Sequence, residues 1–456
     1  MPRLLIISRC SNPRGGADRI IADLCRKLPA YGWEVTLGLT KGLRFNRPEL
    51  YRDEYPGLPV IEIDGTAGSQ AARIQAIESA IATQRPDVVL TMRVYDAYAA
   101  IDSFRRRFPE HAPRFVVGVR AFEAPYFADL RRNASLVDGC VTSGKLIATT
   151  CHSFGGIAED RVFSIAGGVR SPTIIRDRLG VQTPMKLLYA GRLEQAQKRV
   201  HDLIPFVEQL SAKTNAFVLT IVGDGPEESS LKDQLKQWTA TQQVRFCGWQ
   251  DQQALYDKFY PEADIFLHFA AWEGVTIAPR EAMVHGVVPV ISQFTGQAAE
   301  GQFVNGLNSL VFPVADTNQA VRHVIRLQND SALYSELSRN ARHSQVGEYT
   351  ASGAIEKWDA SLRTILAHPK ALGRFQAPPD REPRRLSPLA KIKSSVRALL
   401  RKPIVHGDPG SEWPTSSGYV TSEELNKISG YAKSSEENVM QLNRTVSVPV
   451  SIKTAY

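Results

Sequence analysis

Short apolar runs alternate with longer amphipathic stretches over most of this chain. In its first part, runs of four or five residues predict buried strands at residues 4–8, 35–39, 60–63, 88–91, 115–119 and 139–142. Apolar residues at helical spacing lie between most of these runs, for instance at residues 71–82 and 97–104. This alternation predicts a mostly parallel sheet with helices on both faces, ending near residue 165.

The same alternation restarts after a polar, proline-containing link at residues 171–184. It predicts further strands at residues 185–190, 218–222, 244–247, 265–269, 287–291 and 309–312. We therefore expect two doubly wound α/β domains, residues 1–170 and residues 185–348, that face each other across a hinge. In such sheets ligands bind at the carboxyl ends of the strands.

The most informative stretch is residues 264–292, which reads as strand, loop, short helix and strand. We expect Thr276 to cap the helix, Pro279 to lie in its first turn and Gly286 to end it. Glu273 then lies at the end of the first strand and Glu281 in the first helical turn. Two acids therefore frame one loop at the edge of the sheet.

This geometry has a chemical use. The free N–H groups of the loop and helix start favour a phosphate, and Glu281 can accept hydrogen bonds from the two hydroxyls of a ribose. Glu273 can do the same for a second polyol, and a phosphate between two polyols describes a nucleotide sugar. The alternative, equally compatible with this stretch alone, is that Glu281 only complements the helix dipole and Glu273 is an exposed loop acid.

Two cations, Arg192 and Lys198, lie on the loop after the first strand of the second domain, at the same sheet edge. A cation about 4 Å from a phosphate oxygen contributes roughly 4 kcal/mol at an effective dielectric constant of 20. Such cations would stabilise a departing diphosphate without a metal. The alternative is that both are surface charges, the commoner position of Arg and Lys.

Composition and charge narrow the function classes. The chain has 456 residues, a net charge of +8 and a pI near 9.2, which suits an anionic partner without choosing among nucleotide, nucleic acid and acidic lipid. Its five cysteines lack any C-x-x-C spacing, which favours neither a disulfide framework nor a zinc site and indicates a reducing compartment. No signal peptide or membrane span is expected.

Taken together, the motifs resemble those of the GT-B glycosyltransferases, specifically the retaining, nucleotide-sugar-dependent glycosyl transferase group 1 (family 4) enzymes. The matching residues follow the family's order across residues 3–367: Gly15 and Gly16 after the first strand, Gly191, Arg192 and Leu193 with Lys198, residues 222–226, and Glu273 with Glu281, Ala282, Met283 and Gly286. Each motif alone is weak, whereas the ordered set is specific. The resemblance implies two Rossmann-like domains facing each other across a cleft.

The resemblance also implies roles, carried over by position. Arg192 and Lys198 would bind the donor diphosphate, and Glu273 would contact the donor sugar or the loop around it. Glu281 would hold the ribose. Phosphate would also be contacted by the backbone of Gly16, Val275, Thr276 and Ile277. The loop at Gly223 would lie beside the nucleoside. Residues 349–368 would form a terminal helix that returns to the N-terminal domain.

One departure from the family pattern concerns the first domain. Family members often carry a histidine after the strand that is residues 115–119 here, whereas this chain has Arg120, and neither His111 nor His152 fits the position. A guanidinium stays protonated and cannot act as a neutral base. In the front-face mechanism that the resemblance implies, the leaving phosphate can take the acceptor proton. Residues 166–170 also replace the family's usual Asn-Gly-Val-Asp.

The composition changes in residues 369–456, where we expect a basic amphipathic segment and then a disordered tail. The apolar face of residues 384–402 is flanked by Arg384, Arg385, Lys391, Lys393, Arg397, Arg401 and Lys402. Such a helix would make peripheral contact with an anionic membrane, although a solvated helix or a linker has the same pattern. Residues 403–456 are polar and rich in Ser, Thr and Asn, which predicts disorder.

The sequence therefore supports two function classes. The first is a cytoplasmic hexosyltransferase of class EC 2.4, independent of metal and other cofactors. It would move a sugar from a nucleoside diphosphate sugar to a hydroxyl of a glycan, lipid-linked glycan or polysaccharide precursor, on the inner face of a membrane if the basic segment binds there. The second is a non-catalytic GT-B protein that binds nucleotide or glycan as an assembly or regulatory partner. Nucleic-acid binding rests on net charge alone and is not expected.

Overall fold

The computed structural model describes residues 1–11, 13–274, 276–379 and 403–445, with side chains described throughout except at Glu348 and residues 434–445. The chain divides into two compact units. The first comprises Met1–Gly167 and Ser352–Ile428, and the second comprises Gly168–Ala351 and the chain from Ser429 onwards. Each unit has its own parallel sheet, so the prediction of two parallel α/β domains is confirmed.

The first unit is built on seven strands: β1 Arg3–Ser8, β2 Glu34–Lys41, β3 Val60–Asp64, β4 Val88–Met92, β5 Arg114–Val119, β6 Gly139–Thr142 and β7 Val162–Ser164. They are all parallel, in the order β3-β2-β1-β4-β5-β6-β7. Its helices are α1 Gly16–Lys27, α2 Pro48–Glu54, α3 Gln70–Gln84, α4 Asp96–Arg107, α5 Ala124–Arg132 and α6 Lys145–Ser153.

The second unit repeats this plan with six strands: β8 Met185–Ala190, β9 Phe217–Val222, β10 Val244–Phe246, β11 Ile265–His268, β12 Val288–Ser292 and β13 Leu310–Phe312. The parallel order is β10-β9-β8-β11-β12-β13. Its helices are α7 Leu203–Ser211, α8 Glu228–Gln234, α9 Lys236–Ala240, α10 Gln252–Ala254, α11 Tyr260–Glu262, α12 Ala278–Val284, α13 Gln297–Glu300, α14 Thr317–Asn329 and α15 Ser331–His343. Helix α16, Ala351–Ala367, follows.

The strand order reverses beside the first strand of each sheet. Because crossovers between parallel strands are right-handed, this reversal places helices on both faces of the sheet. It also opens a crevice at the carboxyl ends of the two strands that flank the reversal, β1 and β4 in the first unit and β8 and β11 in the second. In the second unit, residues 191–199 and 269–274 follow those two strands and border that crevice.

Helix α16 completes the core of the first unit. Its buried residues Trp358 and Leu362 belong to the same apolar cluster as Leu4 and Ile6 of β1 and Leu24 of α1. The indole N–H of Trp33 donates to Asp359 on this helix over 2.7 Å. Apolar side chains of β1 and α1, near the start of the sequence, therefore pack into one core with those of α16.

Helix α12 departs from the prediction at its start and follows it at its end. The helix begins at Ala278 after Ile277, and no side chain caps it, so the prediction that Thr276 is the cap is wrong. The reason is that the loop continues one residue further and Thr276 is buried within it. At the other end Gly286 has φ +73°, and its N–H donates to Met283 O over 2.8 Å, as expected of a glycine that ends a helix.

The prediction of a disordered tail does not hold for residues 403–428. Residues 403–421, which we call the strap, pack on the first unit and contain the short helix α17, Pro409–Glu412; helix α18, Ser422–Thr445, follows. The prediction rested on the low apolar content of this segment. Its large apolar side chains are few, but two of them are buried: Trp413 is 0% exposed and Ile428 is 2% exposed. Residues 384–402 and 446–456 lie outside the described residues, so the membrane contact stays a prediction.

None of the helices in the described ranges combines the length and apolarity needed to cross a membrane.

The loops after β8 and β9 meet through their backbones. Gly191 N–H donates to Val222 O over 3.0 Å and Leu193 N–H donates to Asp224 O over 2.8 Å. Gly223 has φ +139°, and a Cβ added there would lie 1.9 Å from Gly191 O. The loop that carries Arg192 is therefore held in place by a contact that only glycine permits.

We predict that Gly223→Ala lowers the free energy of unfolding by about 3 kcal/mol or prevents folding, because it adds a backbone clash to an unfavourable φ. Gly306→Ala is the matched control. It has φ +77° with no atom within 4 Å of the added Cβ, so only the conformational cost of about 1 kcal/mol applies. Urea unfolding measures both variants, and equal losses would contradict the close approach at Gly223.

Candidate active site

A buried acid lies just beyond the carboxyl end of β11. Glu273 accepts a hydrogen bond from Lys198 Nζ at Oε1, and His268 Nε2 lies 3.3 Å from the same oxygen. Gln197 Nε2 donates to Oε2 over 3.3 Å. Glu273 is 9% exposed and His268 is 5% exposed. The alternative that Glu273 is an exposed loop acid is therefore wrong.

Backbone contacts between the two crevice loops explain why Lys198 meets Glu273. Ala271 N–H donates to Gln197 O over 2.8 Å, and Gln197 Nε2 also donates to Trp272 O over 3.1 Å. Thr295 N–H in turn donates to Ala271 O over 2.9 Å. Gln197 thus connects the loop after β8 to the loop after β11 by hydrogen bonds. These bonds place the neighbouring Lys198 within hydrogen-bonding distance of the Glu273 carboxylate.

The electrostatics of this group keep Glu273 ionised. Burial alone would raise the pKa of Glu273, but the Lys198 ammonium and the His268 ring outweigh it and lower that pKa to about 2. Burial lowers the pKa of His268 below its ordinary value, against the opposing effect of Glu273. Near neutral pH the group therefore holds one carboxylate, one ammonium and a neutral imidazole.

Arg192 lies beside this group with much of its side chain in solvent. The side chain is 54% exposed, and its Nη2 is 3.7 Å from Glu194 Oε2 and donates to Gln197 Oε1 over 3.2 Å. An exposed ion pair of this kind contributes little to stability. The guanidinium is therefore accessible to a ligand, and Gln197 links it to Glu273.

Glu281 belongs to a second hydrogen-bonded group. Its Oε1 accepts from Gln252 Nε2 over 2.6 Å and its Oε2 accepts from Tyr260 Oη over 2.9 Å. The side chain is 1% exposed. It therefore accepts two donors, as the sequence predicts for a ribose, but here both donors come from the protein itself.

Tyr260 is itself held in position through the chain that precedes β8. The buried guanidinium of Arg178 donates to four main-chain oxygens, those of Ala263, Tyr260 over 3.1 Å, Pro261 over 3.2 Å and His285 over 3.0 Å. These acceptors include the carbonyls at the end of α11, which lack partners within the helix. Arg178 thereby fixes the helix end from which Tyr260 reaches Glu281.

The remaining predicted residues are distributed as follows. Thr276 and Ile277 lie between Glu273 and α12, and Gly223 lies at the backbone contact described above. Val275 lies outside the described residues. Gly16 is the first residue of α1 in the first unit, where Gly15 O accepts from Asp18 N–H over 3.1 Å.

Sequence reasoning missed four residues of these groups: Gln197, His268, Gln252 and Tyr260. A histidine at the end of an otherwise apolar strand was a usable signal, because a buried imidazole needs a polar partner. Gln197 lies on the same loop as Arg192 and Lys198, but it carries no charge that would indicate a role in the site. Gln252 and Tyr260 lie on α10 and α11, whose positions beside Glu281 depend on the tertiary fold.

Arg120 takes the position at which the related enzymes often have histidine. Its guanidinium is hydrogen-bonded to main-chain oxygens of the first unit. Its Nη1 donates to Thr142 O over 3.3 Å and to Ile165 O over 3.2 Å. Burial lowers the pKa of Arg120 to about 10, so the guanidinium stays charged near neutral pH. Arg120 thus ties the ends of β5, β6 and β7 together.

Within the described ranges, no group of three or more His, Cys, Asp or Glu side chains could hold a metal ion.

We predict that Glu273→Gln lowers the free energy of unfolding at pH 7 by about 3 kcal/mol, since a pKa of about 2 against an ordinary 4.5 favours the folded, ionised form by that amount. A carboxyl group with a depressed pKa contributes fully above about pH 5 and loses its contribution as the pH falls towards 2. At about pH 3 the difference from the wild type should fall below half its value at pH 7.

Urea unfolding at the two pH values measures this difference. Glu228→Gln, which removes an acid from the ion pair of Glu228 with the half-exposed Lys232 on α8, is the control and should change stability little. A loss in Glu273→Gln that is the same at both pH values would contradict the assignment of an ionised carboxylate.

Comparison with known proteins finds similarity to enzymes that transfer sugars. Over 361 residues it is 24% identical to the lipopolysaccharide core biosynthesis glycosyltransferase LpsE of Rhizobium meliloti (strain 1021), covering 78% of this chain and 97% of LpsE. Over 169 residues, 36% of this chain and 39% of the relative, it is 30% identical to a glycogen synthase of Mycobacterium tuberculosis.

Solved structures show the same fold. Anabaena Alr3699/HepE in complex with UDP superposes with a TM-score of 0.63 at 16% identity, covering 79% of this chain and 100% of that protein. The apo form of the lipopolysaccharide outer core galactosyltransferase WaaB gives a TM-score of 0.60 at 16% identity, covering 79% and 99%. These neighbours are GT-B glycosyltransferases, which confirms the predicted GT-B fold.

The family comparison falls on the unit that contains Glu273 and Glu281. Residues 172–344 match the family described as glycosyl transferases group 1. The predicted resemblance to this family is thereby confirmed over these residues.

Proposed function

We propose that this protein is a retaining hexosyltransferase of the family 4 type. It would move a sugar from a nucleoside diphosphate sugar to a hydroxyl of a glycan, a lipid-linked glycan or a polysaccharide precursor. The observation that carries the proposal is the buried Lys198–Glu273 ion pair at the crevice of the second unit, with the accessible Arg192 beside it. The match of the same unit to glycosyl transferases group 1 gives this pair its chemical context.

The donor diphosphate would bind the two cations. An ammonium has three donor hydrogens, and Lys198 gives one of them to Glu273, so it can also donate to a phosphate oxygen. Arg192 would supply a planar donor from the solvent side. Backbone N–H groups of Thr276 and Ile277 would add hydrogen bonds to phosphate.

Glu273 would act as an ionised hydrogen-bond acceptor. A carboxylate with a pKa of about 2 cannot serve as a general acid near neutral pH. It would instead hold Lys198 in position and accept hydrogen bonds from the hydroxyls of the donor sugar. Glu281 would accept the ribose hydroxyls in exchange for the Gln252 amide, while Tyr260 keeps the carboxylate oriented.

The reaction would proceed on one face of the sugar. The bond between the anomeric carbon and the diphosphate oxygen breaks, and a bond from the acceptor oxygen to the anomeric carbon forms on the same face. The departing phosphate oxygen takes the acceptor proton, so no protein base is required. Arg192 and Lys198 would stabilise the charge that develops on the diphosphate, without a metal.

The names of the relatives suggest where testing should start. HepE has been crystallised with UDP-glucose, so UDP-sugars are the first donors to try. LpsE is a lipopolysaccharide core enzyme, so lipid-linked glycans are the first acceptors to try. A reducing, cytoplasmic location is supported by the five cysteines, each of which is free.

We predict that Lys198→Ala weakens binding of a UDP-sugar at least about 100-fold, which corresponds to the loss of roughly 2.7 kcal/mol from a partly buried cation–phosphate contact. Arg192→Ala should weaken it about 10-fold, because that side chain is more exposed. Isothermal titration calorimetry measures both variants. Lys213→Ala, an exposed lysine in the same unit, carries the same charge change and should bind as the wild type does.

Unchanged affinity in Lys198→Ala would remove the site assignment. Donor binding without hydrolysis or transfer over a broad acceptor panel would favour the alternative, a non-catalytic GT-B protein that binds nucleotide or glycan as an assembly or regulatory partner. Arg120 in the histidine position and its engagement with the backbone give that alternative its support.

We predict that sugar transfer by the wild type continues at an unchanged rate when EDTA is added, because Lys198 and Arg192 take the place that a divalent cation would have. Initial rates with and without the chelator measure this. A rate that falls with EDTA and returns with Mg²⁺ or Mn²⁺ would show that the two side chains do not suffice.

A further inference from the structure

The three partners of Glu273 differ in what else they bind. The Gln197 amide that reaches Oε2 also donates to Trp272 O over 3.1 Å. The Lys198 side chain is 20% exposed, and its ammonium keeps hydrogens for a diphosphate. His268, the last residue of β11, is buried with its Nε2 3.3 Å from Oε1 of Glu273. Among the described residues, Glu273 is the one hydrogen-bond partner of the His268 ring.

The surroundings of the His268 ring fix both its orientation and its tautomer. The ring lies 5.4 Å from that of Phe294 at an angle of 62°, and Phe294 is buried and packs in turn against Phe303. A carboxylate only accepts hydrogen bonds, so the ring nitrogen beside Glu273 has to carry the proton. Nε2–H of the neutral imidazole therefore donates to Oε1, and Nδ1, which is buried without a partner among the described residues, carries no proton.

The bonds to Glu273 leave one of its acceptor positions open. A carboxylate has about four lone-pair positions, two on each oxygen. Oε1 accepts from Lys198 and from His268, which fills that oxygen, whereas Oε2 accepts from Gln197 alone. The open position is therefore on Oε2, and a sugar hydroxyl that binds Glu273 would donate there.

The proposed reaction makes two demands on Lys198. The same ammonium that now bonds Oε1 of Glu273 would also bind the donor diphosphate. If Lys198 turned fully to the diphosphate and Oε1 had no other donor, a buried acceptor would be left unpaired at a cost of about 1–3 kcal/mol. His268 removes this conflict, because its N–H stays on Oε1 whichever way Lys198 turns.

We propose that His268 is a positioning residue of the donor site. Its Nε2–H holds Oε1 of Glu273, so that Oε2 stays directed at a hydroxyl of the donor sugar while Lys198 binds the diphosphate. His268 would touch neither the sugar nor the diphosphate and would act through Glu273 alone. This inference rests on the proposed transferase function and extends it, since His268 would favour a nucleotide sugar over the free nucleoside diphosphate.

Four variants test this role. His268→Leu removes the N–H and keeps a buried apolar side chain. His268→Gln retains an amide N–H at about the reach of Nε2, whereas the amide of His268→Asn is one carbon shorter and does not reach Oε1. His323→Leu is the matched control, because His323 is also a buried histidine of the second unit, with Nε2 3.1 Å from Val311 O, and it lies on α14.

Isothermal titration calorimetry of the full chain compares UDP with the UDP-sugar that the wild type binds most tightly, starting from UDP-glucose. His268→Leu should weaken binding of the UDP-sugar at least about tenfold and binding of UDP less than about threefold. His268→Gln should bring the UDP-sugar affinity back to within about threefold of the wild type. His323→Leu should bind both ligands as the wild type does.

A second measurement needs no donor. Long-range ¹H–¹⁵N spectra of the full chain with ¹⁵N-labelled histidine should show a proton on Nε2 of His268 at pH 7. The resonance is identified by its absence from the spectrum of His268→Gln. A proton on Nδ1 alone would leave no hydrogen between the ring and Oε1 and would overturn the proposal.

Two calorimetric results would also overturn it. One is an unchanged UDP-sugar affinity in His268→Leu. The other is an equal loss for UDP and the UDP-sugar, which would make His268 a general support of the fold. Should His268→Leu fail to fold, the two amide variants decide, and equal UDP-sugar affinities of His268→Gln and His268→Asn would refute the proposal. A wild type that binds no nucleotide sugar would instead refute the proposed transferase function, whereas the spectra would still report the bond to Glu273.

Discussion

The second unit depends on a carboxylate that is withdrawn from water and still ionised. An isolated buried carboxylate would take up a proton, and Glu273 avoids this because Lys198, His268 and Gln197 surround it. These partners come from two loops that follow neighbouring strands, so the ion pair also fixes the relative positions of the loops. Any ligand that enters the crevice then meets cations that are already placed.

The reversal of strand order is the constraint that brings these loops together. Residues 198 and 273 are far apart in sequence, yet β8 and β11 are adjacent in the sheet, so both loops leave the same edge. Close backbone contact at Gly191 and Gly223 removes the remaining freedom of the loop after β8. The geometry of the site therefore depends first on the strand order of the sheet and second on the side chains that the two loops carry.

Much of this could be predicted from the sequence, because fully buried strands give continuous apolar runs and the loops between them keep their charged residues. The strands and the convergence of Lys198 with Glu273 follow from that pattern. The cap of α12 could not be predicted, because Thr276 is a good capping residue that the loop buries instead. The strap was missed because its docking depends on single residues, Glu412 and Trp413, within a polar stretch.

The first unit is assembled from two separate segments of the sequence, with Trp33 bonded to Asp359 and Arg44 bonded to Glu412. The second unit lies almost entirely in one continuous segment, Gly168–Ala351. During synthesis on the ribosome, the second unit can therefore acquire its core while the first still lacks α16 and the strap. Until α16 emerges, the apolar surface of the first unit that this helix covers stays exposed to water.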